Sequence, residues 1–358
     1  MAEPIKNMFH QEYLQTVANK VQSVHGDFHV DAFVKNVQTE PWAELEMMDR
    51  INKITETLHS HLPTDYKEAV TILADAADAK GAEGYMFFPH FVAKYGLDDW
   101  ETSITMLRRF TSYASSEFAV RPFIEKDPIE MVNVMKEWAT SENEHVRRLA
   151  SEGARPRLPW GKTLSAFIKD PTKTTVILEV LKEDSSKYVR KSVANHLNDF
   201  SKDHPNYVLQ LAKSWQGKSE RTDWIIRHGC RTLIRKGLPE AYELFGYGGS
   251  VRDGLVMIQP PSIVIGESIT MDYSFTVERA GAMRVEYGIQ FVKANGKRSE
   301  KKFLLVDRTY HTGEKVKRER THSFADLSTR KHYSGTHIVT IYVNGLVVSE
   351  ASINVIKK

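Results

Sequence analysis

Within RRLASEGARPRLPW, residues 147–160, a single glutamate, Glu152, stands among four arginines. Arg148, Ser151, Glu152 and Arg155 are spaced i, i+3, i+4 and i+7, which on a helix places them on one face. The simplest account is an ion pair between residues one turn apart, contributing about 0.3–0.5 kcal/mol. The chemical alternative is a carboxylate held beside a polyanion. Phosphates repel such a group unless the ligand also carries a local positive charge. There it would stabilise a cationic base, or an oxocarbenium-like sugar as a glycosidic bond breaks, or orient an attacking water. Glu117, in SSEFAVRPF, and Asp199, in NHLNDF, are further candidates for this task. Trp160, held by Pro156 and Pro159, is suited either to stack on a base or a cation or to pack as an anchor between helices.

The cations recur with a period. EHVRRLASEG (144–153) and KYVRKSVANH (187–196) share a Val-Arg-basic core, with Val146 and Val189 43 residues apart. WIIRHGCRTLIRKG (224–237) repeats it loosely, 37 residues from Arg190 to Arg227. Periods of about 40–47 residues belong to HEAT and armadillo repeats, which stack into a solenoid with a concave binding face. On the second repeat helix, Lys191, Asn195, Asn198 and Asp199 oppose the apolar Val189, Val193 and Leu197. On the third, Arg227, Arg231 and Arg235 oppose Ile226, Cys230 and Leu233. Stacked, these faces predict a groove lined by Arg148, Arg155, Lys191, Arg227, Arg231 and Arg235, with Arg157 in the adjoining loop. A single charged face is ordinarily solvated. Three in register suit phosphates, because each phosphate neutralised releases condensed counterions.

The elements that must position these residues fall into two classes. Up to about residue 245 apolar residues recur at helical steps, as in WAELEMMDRINKITETLHSHL (42–62) and YKEAVTILADAADA (66–79). Asp98 and Asp99 precede an expected helix over 100–120, and Ser141 with Glu144 forms an expected capping box before HVRRLASEGA, which Pro156 ends. After GYGGS (246–250) the period changes to two, in SITMDYSFTVE, AMRVEYGIQFVK, KKFLLVDRTY and THIVTIYVNGLVVSEASINVI. Asn295-Gly296 and Asn344-Gly345 are hairpin turns. The reading is a two-domain chain: 1–247, an all-α HEAT-like helical-repeat solenoid, then 252–358, an all-β immunoglobulin-like sandwich of some seven strands, with a barrel as the alternative.

Composition sets the limits. The 358 residues are 41% hydrophobic and 27% charged, as in ordinary globular proteins. No apolar run approaches the roughly 18 residues of a membrane span, and the N-terminus lacks an export signal, so a cytoplasmic monomer is expected. The one cysteine, Cys230, excludes an internal disulfide and a cysteine-based zinc site. The 14 histidines show no metal-binding spacing, so neither metal nor cofactor is expected. Residues 251–358 hold 17 Lys+Arg against 11 Asp+Glu, a net +6, which leaves 32 against 35, a net −3, for residues 1–250. The basic third suits a polyanion or simple solubility. Lys293, Lys297, Arg298, Lys301 and Lys302 are its candidate DNA contacts, against a solvated turn.

Taken together, RRLASEGARPRLPWG (147–161), YVRKSVANHLNDFSKDHP (188–205), TDWIIRHGCRTLIRKG (222–237), YASSEFAVRPFI (113–124) and LEMMDRINKI (45–54) resemble the HEAT-like repeat DNA glycosylases of the bacterial DNA alkylation repair family, in its AlkC branch rather than AlkD. The resemblance covers residues 5–245. Residues 252–358 are similar to the immunoglobulin-like domain carried by part of that branch. The resemblance implies excision of cationic N-alkylated bases, such as 3-methyladenine and 3-methylcytosine, from double-stranded DNA without drawing the base into a pocket. It implies Glu152 as the principal carboxylate, Glu117 and Asp199 as its assistants in holding charge and water, and Trp160 as a stacking support. Arg148 would enter or brace the distorted duplex. No lysine stands at a marked position, so a monofunctional enzyme is expected. The rival is a non-catalytic scaffold binding DNA or an acidic protein, which accounts for a basic groove but not for three converging acids.

Overall fold

The structure, a computed structural model, describes residues 5–78, 85–327 and 330–357. Among these, 16 α-helices precede eight β-strands, the expected order of the two classes. The chain divides into two compact units, Met1–His204 with Gln216–Gly229, and Pro205–Trp215 with Cys230–Lys358. Among the described residues no helix is long and apolar enough to cross a membrane.

In the first unit the helix Glu144–Gly153 packs on Pro128–Trp138, and Lys187–Asp203 packs on Thr172–Leu181 and lies against both Glu144–Gly153 and Glu220–Gly229. The apolar stripes expected from periodicity are buried: Val146, Leu149 and Ala150 on one helix, Val189, Val193 and Leu197 on the next. The repeat also shows in hydrogen bonding. Arg147 Nη1 donates back to the carbonyls of Ser141 (2.9 Å) and Glu142 (2.8 Å), and Arg190 Nη1 does the same to Asp184 and Ser185 (both 2.8 Å). Each arginine therefore ties its helix to the loop that precedes it. Close approach depends on glycine. A Cβ at Gly153 would lie 2.6 Å from Val120 Cγ2, and one at Gly229 2.6 Å from Leu197 Cδ2.

Four local expectations are corrected. The helix capped by Asp99, whose side chain accepts from Thr102 N (3.1 Å), stops at Phe110 instead of running to residue 120. Hydroxyls there compete for backbone groups, and Ser116 Oγ donates to Leu107 O at 2.9 Å. The cap of Glu144–Gly153 is Asn143, accepting from His145 N at 2.9 Å, while the Ser141 hydroxyl accepts from Asn143 N at 3.3 Å, ahead of the helix. That helix ends at Gly153, so Arg155 lies beyond it and not on its face. WIIRHGCRTLIRKG is two helices, Glu220–Gly229 and Arg231–Lys236, separated at Cys230 next to a poor helix former, Gly229. Arg227, Arg231 and Arg235 therefore form no single stripe, and the last two belong to the second unit.

The second unit contains strands β1 Ser250–Gln259, β2 Ser262–Val264, β3 Ser268–Arg279, β4 Gly281–Val292, β5 Arg298–Tyr310, β6 Lys315–Ser323, β7 Gly335–Val343 and β8 Leu346–Ile356. They form a three-stranded sheet, β1-β3-β6, and a five-stranded sheet, β2-β8-β7-β4-β5, a sandwich and not a barrel. The core between the sheets includes Ile269, Met271, Phe275, Val285, Ile289, Val339, Ile341 and Ile353. At the β7–β8 turn Asn344 (φ 51°) and Gly345 (φ 79°) both take positive φ, as a type I′ hairpin requires. β1 starts at Ser250, so the glycine cluster at 246–249 leads straight into a strand. β6, KVKRERTHS, does not stand out in the sequence because only Val316 and His322 of its nine residues are buried.

Candidate active site

Glu117, Glu152 and Asp199 are brought together through two arginines. Arg148 Nη2 lies 2.7 Å from Glu117 Oε2 and 3.7 Å from Glu152 Oε1. Arg155 Nη1 lies 2.7 Å from the same Glu152 oxygen, and Arg155 Nε lies 2.9 Å from Asp199 Oδ2. Lys202 Nζ closes the run on Asp199 Oδ1 at 2.9 Å. The order is Glu117, Arg148, Glu152, Arg155, Asp199, Lys202, alternating in sign. Each carboxylate shares cations with its neighbour, which offsets the desolvation that burial imposes on charge.

Local folding sets each member. Glu117 sits in the 111–120 loop left when the preceding helix stops at Phe110, and Ser115 Oγ donates to its Oε2 at 2.9 Å. Glu152 is on the last turn of Glu144–Gly153, pressed toward that loop by the glycine contact with Val120. Asp199 lies on Lys187–Asp203 three turns from Tyr188, with Lys191 and Asn195 between them on the same stripe. Exposure falls steeply along the run, from 15% for the side chain of Glu117 to 8% for Glu152 and 1% for Asp199.

Several expected phosphate contacts take other roles. Arg155 is 7% exposed and ligated on two edges, so it has no open face for a phosphate. Burial works against its charge, but Glu152 and Asp199 outweigh that and hold its pKa above the ordinary arginine range. Arg148 is held by several contacts and stays partly exposed, at 17% of its side chain. Besides Glu117 it donates to Ser115 Oγ (3.0 Å), and its guanidinium lies 4.9 Å from the centroid of the Tyr188 ring. Arg157 pairs with Asp203 through two hydrogen bonds of 3.0 and 2.9 Å and remains partly exposed. Lys191, Arg227 and Arg235 are exposed, while Asn195 and Arg231 are half-buried. Asn198, expected on the polar face, is buried. Trp160 is 81% exposed with φ 64°, which removes the packed-anchor reading and leaves its ring facing solvent.

Three supporting residues were not singled out by spacing. Arg121, 3% exposed, donates to the carbonyls of Gly153 (3.1 Å), Arg155 (3.0 Å) and, from Nε, Lys162 (2.7 Å). It ties down both ends of the loop that carries Arg155, Arg157 and Trp160. Burial pushes its pKa down to about 10, still far above neutrality. His196 contacts Ser151 O (3.0 Å) and Thr174 Oγ1 (3.2 Å), and burial pushes its pKa down to about 3, so the imidazole there is neutral. Tyr188 shares its helix stripe with Lys191, Asn195 and Asp199, a spacing that was available from the sequence. Arg121 was not, because nothing in AVRPF indicates three carbonyls more than 30 residues away.

Comparison with known proteins finds similarity over nearly the whole chain. Residues 34–233 match the family model described as DNA alkylation repair enzyme, and residues 254–357 match that of the C-terminal Ig-like domain of the uncharacterised protein YhaZ. YhaZ of Bacillus subtilis (strain 168) is 44% identical over 346 residues, covering 96% of this chain and 97% of its own. The Pseudomonas fluorescens alkylpurine DNA glycosylase AlkC, solved bound to DNA containing an abasic site analog, is 38% identical with a TM-score of 0.91, over 99% of this chain and 100% of that one. With a helical repeat followed by an immunoglobulin-like sandwich and a family match across the carboxylate run, the chain belongs to the DNA alkylation repair enzyme family.

Proposed function

We propose that this protein is a monofunctional DNA glycosylase that hydrolyses the N-glycosidic bond of cationic N-alkylated bases, such as 3-methyladenine and 3-methylcytosine, in double-stranded DNA. The observation that carries the reading is the alternating run of three carboxylates and two guanidiniums, in a chain 38% identical along its length to an alkylpurine DNA glycosylase. A cationic base needs little acid catalysis, because the electron pair of the breaking C1′–N bond leaves with it and neutralises it. Positive charge then passes to the sugar. The edges of Glu152 and Glu117 stabilise that charge, and one of them takes the proton of the water that adds to C1′. The products are the free neutral base and an abasic site on an intact strand. A neutral base gains less from these groups, and that difference supplies selectivity.

In this reading Asp199, with both oxygens engaged and 1% exposed, acts through Arg155 and does not touch the sugar. Trp160 stacks on the DNA beside the lesion, which is not drawn into a pocket. Arg157, Lys191, Asn195, Arg227, Arg231 and Arg235 are the proposed phosphate contacts, and the two interior guanidiniums hold the acids in place. Mass spectrometry of bases released from methylated duplex DNA, with a denaturing gel for strand integrity, tests the proposal. Release of methylated bases with the backbone intact is expected. Binding to DNA without any release would overturn it and favour the scaffold.

A further inference from the structure

Among the described residues Arg148 is the cation that Glu117 and Glu152 share, and three groups besides Glu152 contact it: Glu117, Ser115 and the ring of Tyr188. The two hydrogen-bonding partners hold its edge. The aromatic ring adds a further contact, with the guanidinium carbon over it at 4.9 Å from the centroid. A guanidinium bonded along its edge alone can still swing about the bonded nitrogens, and a ring beneath it stops that rotation. Tyr188 is itself well supported, standing on the first turn of Lys187–Asp203 with the imidazole of His145 edge-on at 5.7 Å. Its side chain is 42% exposed, so little packing depends on it.

We infer that Tyr188 is a positioning residue for the carboxylate pair: its ring fixes the plane of Arg148, so that one guanidinium is divided between Glu117 and Glu152 and neither acid is fully neutralised. Should Arg148 swing wholly onto Glu117, at 2.7 Å against 3.7 Å for Glu152, the pair would become unequal and the geometry of both edges would change. The phenol also interacts with Arg148, but the ring contact survives removal of the hydroxyl. Burial and the nearby carboxylates hold the phenol above its ordinary pKa, so it remains neutral at working pH.

The inference rests on the proposed glycosylase reaction, and the experiment separates the two. Single-turnover release of 3-methyladenine is measured for the wild type, Tyr188→Phe, Tyr188→Leu, Arg148→Lys and the Tyr188→Leu/Arg148→Lys double variant, with DNA affinity and urea midpoints in parallel. No release by the wild type overturns the proposed function itself. Given wild-type release, Tyr188→Phe is expected to retain it and Tyr188→Leu to lose on the order of ten-fold in rate, with unchanged affinity and midpoint. Once lysine has removed the planar guanidinium, the leucine substitution should cost nothing more. Equal losses from Tyr188→Leu in both backgrounds, or a rate equal to wild type, would overturn the inference. A Tyr188→Phe rate as low as that of leucine would overturn the role of the ring.

Discussion

Glu152→Gln is the perturbation that bears most directly on the proposed chemistry. The substitution keeps the shape and an acceptor oxygen for Arg155 while removing one charge. Of the interior groups, three carboxylates face two guanidiniums, which leaves one excess negative charge, and the glutamine reduces that to zero. Lys202 is excluded from this balance because it is 41% exposed and screened by solvent. A unit charge about 4–6 Å from a forming sugar cation, at an effective dielectric of about 20, contributes about 3–4 kcal/mol. That corresponds to a loss of about 10²–10³ in the rate of bond breaking. The cost in stability is smaller, about 1 kcal/mol, because Arg155 keeps Asp199 and Arg148 keeps Glu117. The assay is single-turnover release of 3-methyladenine from methylated duplex at saturating enzyme, with fluorescence anisotropy for DNA binding. Full binding with release lowered at least a hundred-fold is the expected outcome. Release within three-fold of wild type would refute the electrostatic argument, since no rearrangement of the two arginines restores the lost charge.

Asp199→Asn should destabilise the first unit by about 1–2 kcal/mol in urea melts, because Arg155 keeps Glu152 but loses a charged partner at a nearly fully buried position; an unchanged midpoint would show that the pair is not structural. Trp160→Gly should raise stability by about 0.5–1 kcal/mol, by relieving φ 64° at an exposed position, yet lower base release. Normal release from that variant would remove Trp160 from the site. His196 holds off its proton until about pH 3 when folded but titrates near 6.5 when unfolded, so acid favours the unfolded chain. Stability should fall by about 1.4 kcal/mol per pH unit below 6.5, and His196→Gln should flatten that slope in melts at pH 7, 6 and 5.

What the sequence disclosed follows from how local each signal is. Helical and two-residue periods report burial residue by residue, so the change of class near residue 250 and the apolar stripes at Val146–Ala150 and Val189–Leu197 were legible. The 43-residue shift from Arg147 to Arg190 was legible too, and its cause appears in the paired backbone contacts those arginines make. Glu117, Glu152 and Asp199 were selected as carboxylates amid cations, and the structure does join them. The burial of Arg155 was not legible in the same way. Helical arithmetic counts which residues share a face, but it cannot say whether that face meets water or another helix. Arg155 was projected onto an open groove because its charge is usually solvated, whereas two acids distant in sequence or turned beneath it enclose it. β6 was missed for the converse reason: charges on both faces of a strand leave no alternation to read.

Under the proposed function, Arg148 and Arg155 meet a different need from attracting phosphate, the one posed by an acid next to DNA. A lone carboxylate at such a surface would be repelled by every phosphate within a Debye length, about 8–10 Å, and would weaken binding to all DNA alike. Sharing two guanidiniums and the Lys202 ammonium among the three acids cancels most of their field at that range, since a balanced set of charges falls off faster than a single charge. At contact the cancellation is incomplete, because the charges are separated in space and the side chains of Glu117 and Glu152 remain 15% and 8% exposed. Under the proposed reaction the negative charge is then felt only by a group within a few ångströms, which is where a cationic base or the sugar cation stands. The same arrangement predicts that adding salt weakens binding through the exposed cations while leaving the rate of the bound step nearly unchanged. A bound-step rate that falls with salt as steeply as affinity would mean that the acids are not shielded by Arg148 and Arg155, and that the pairing has no catalytic consequence.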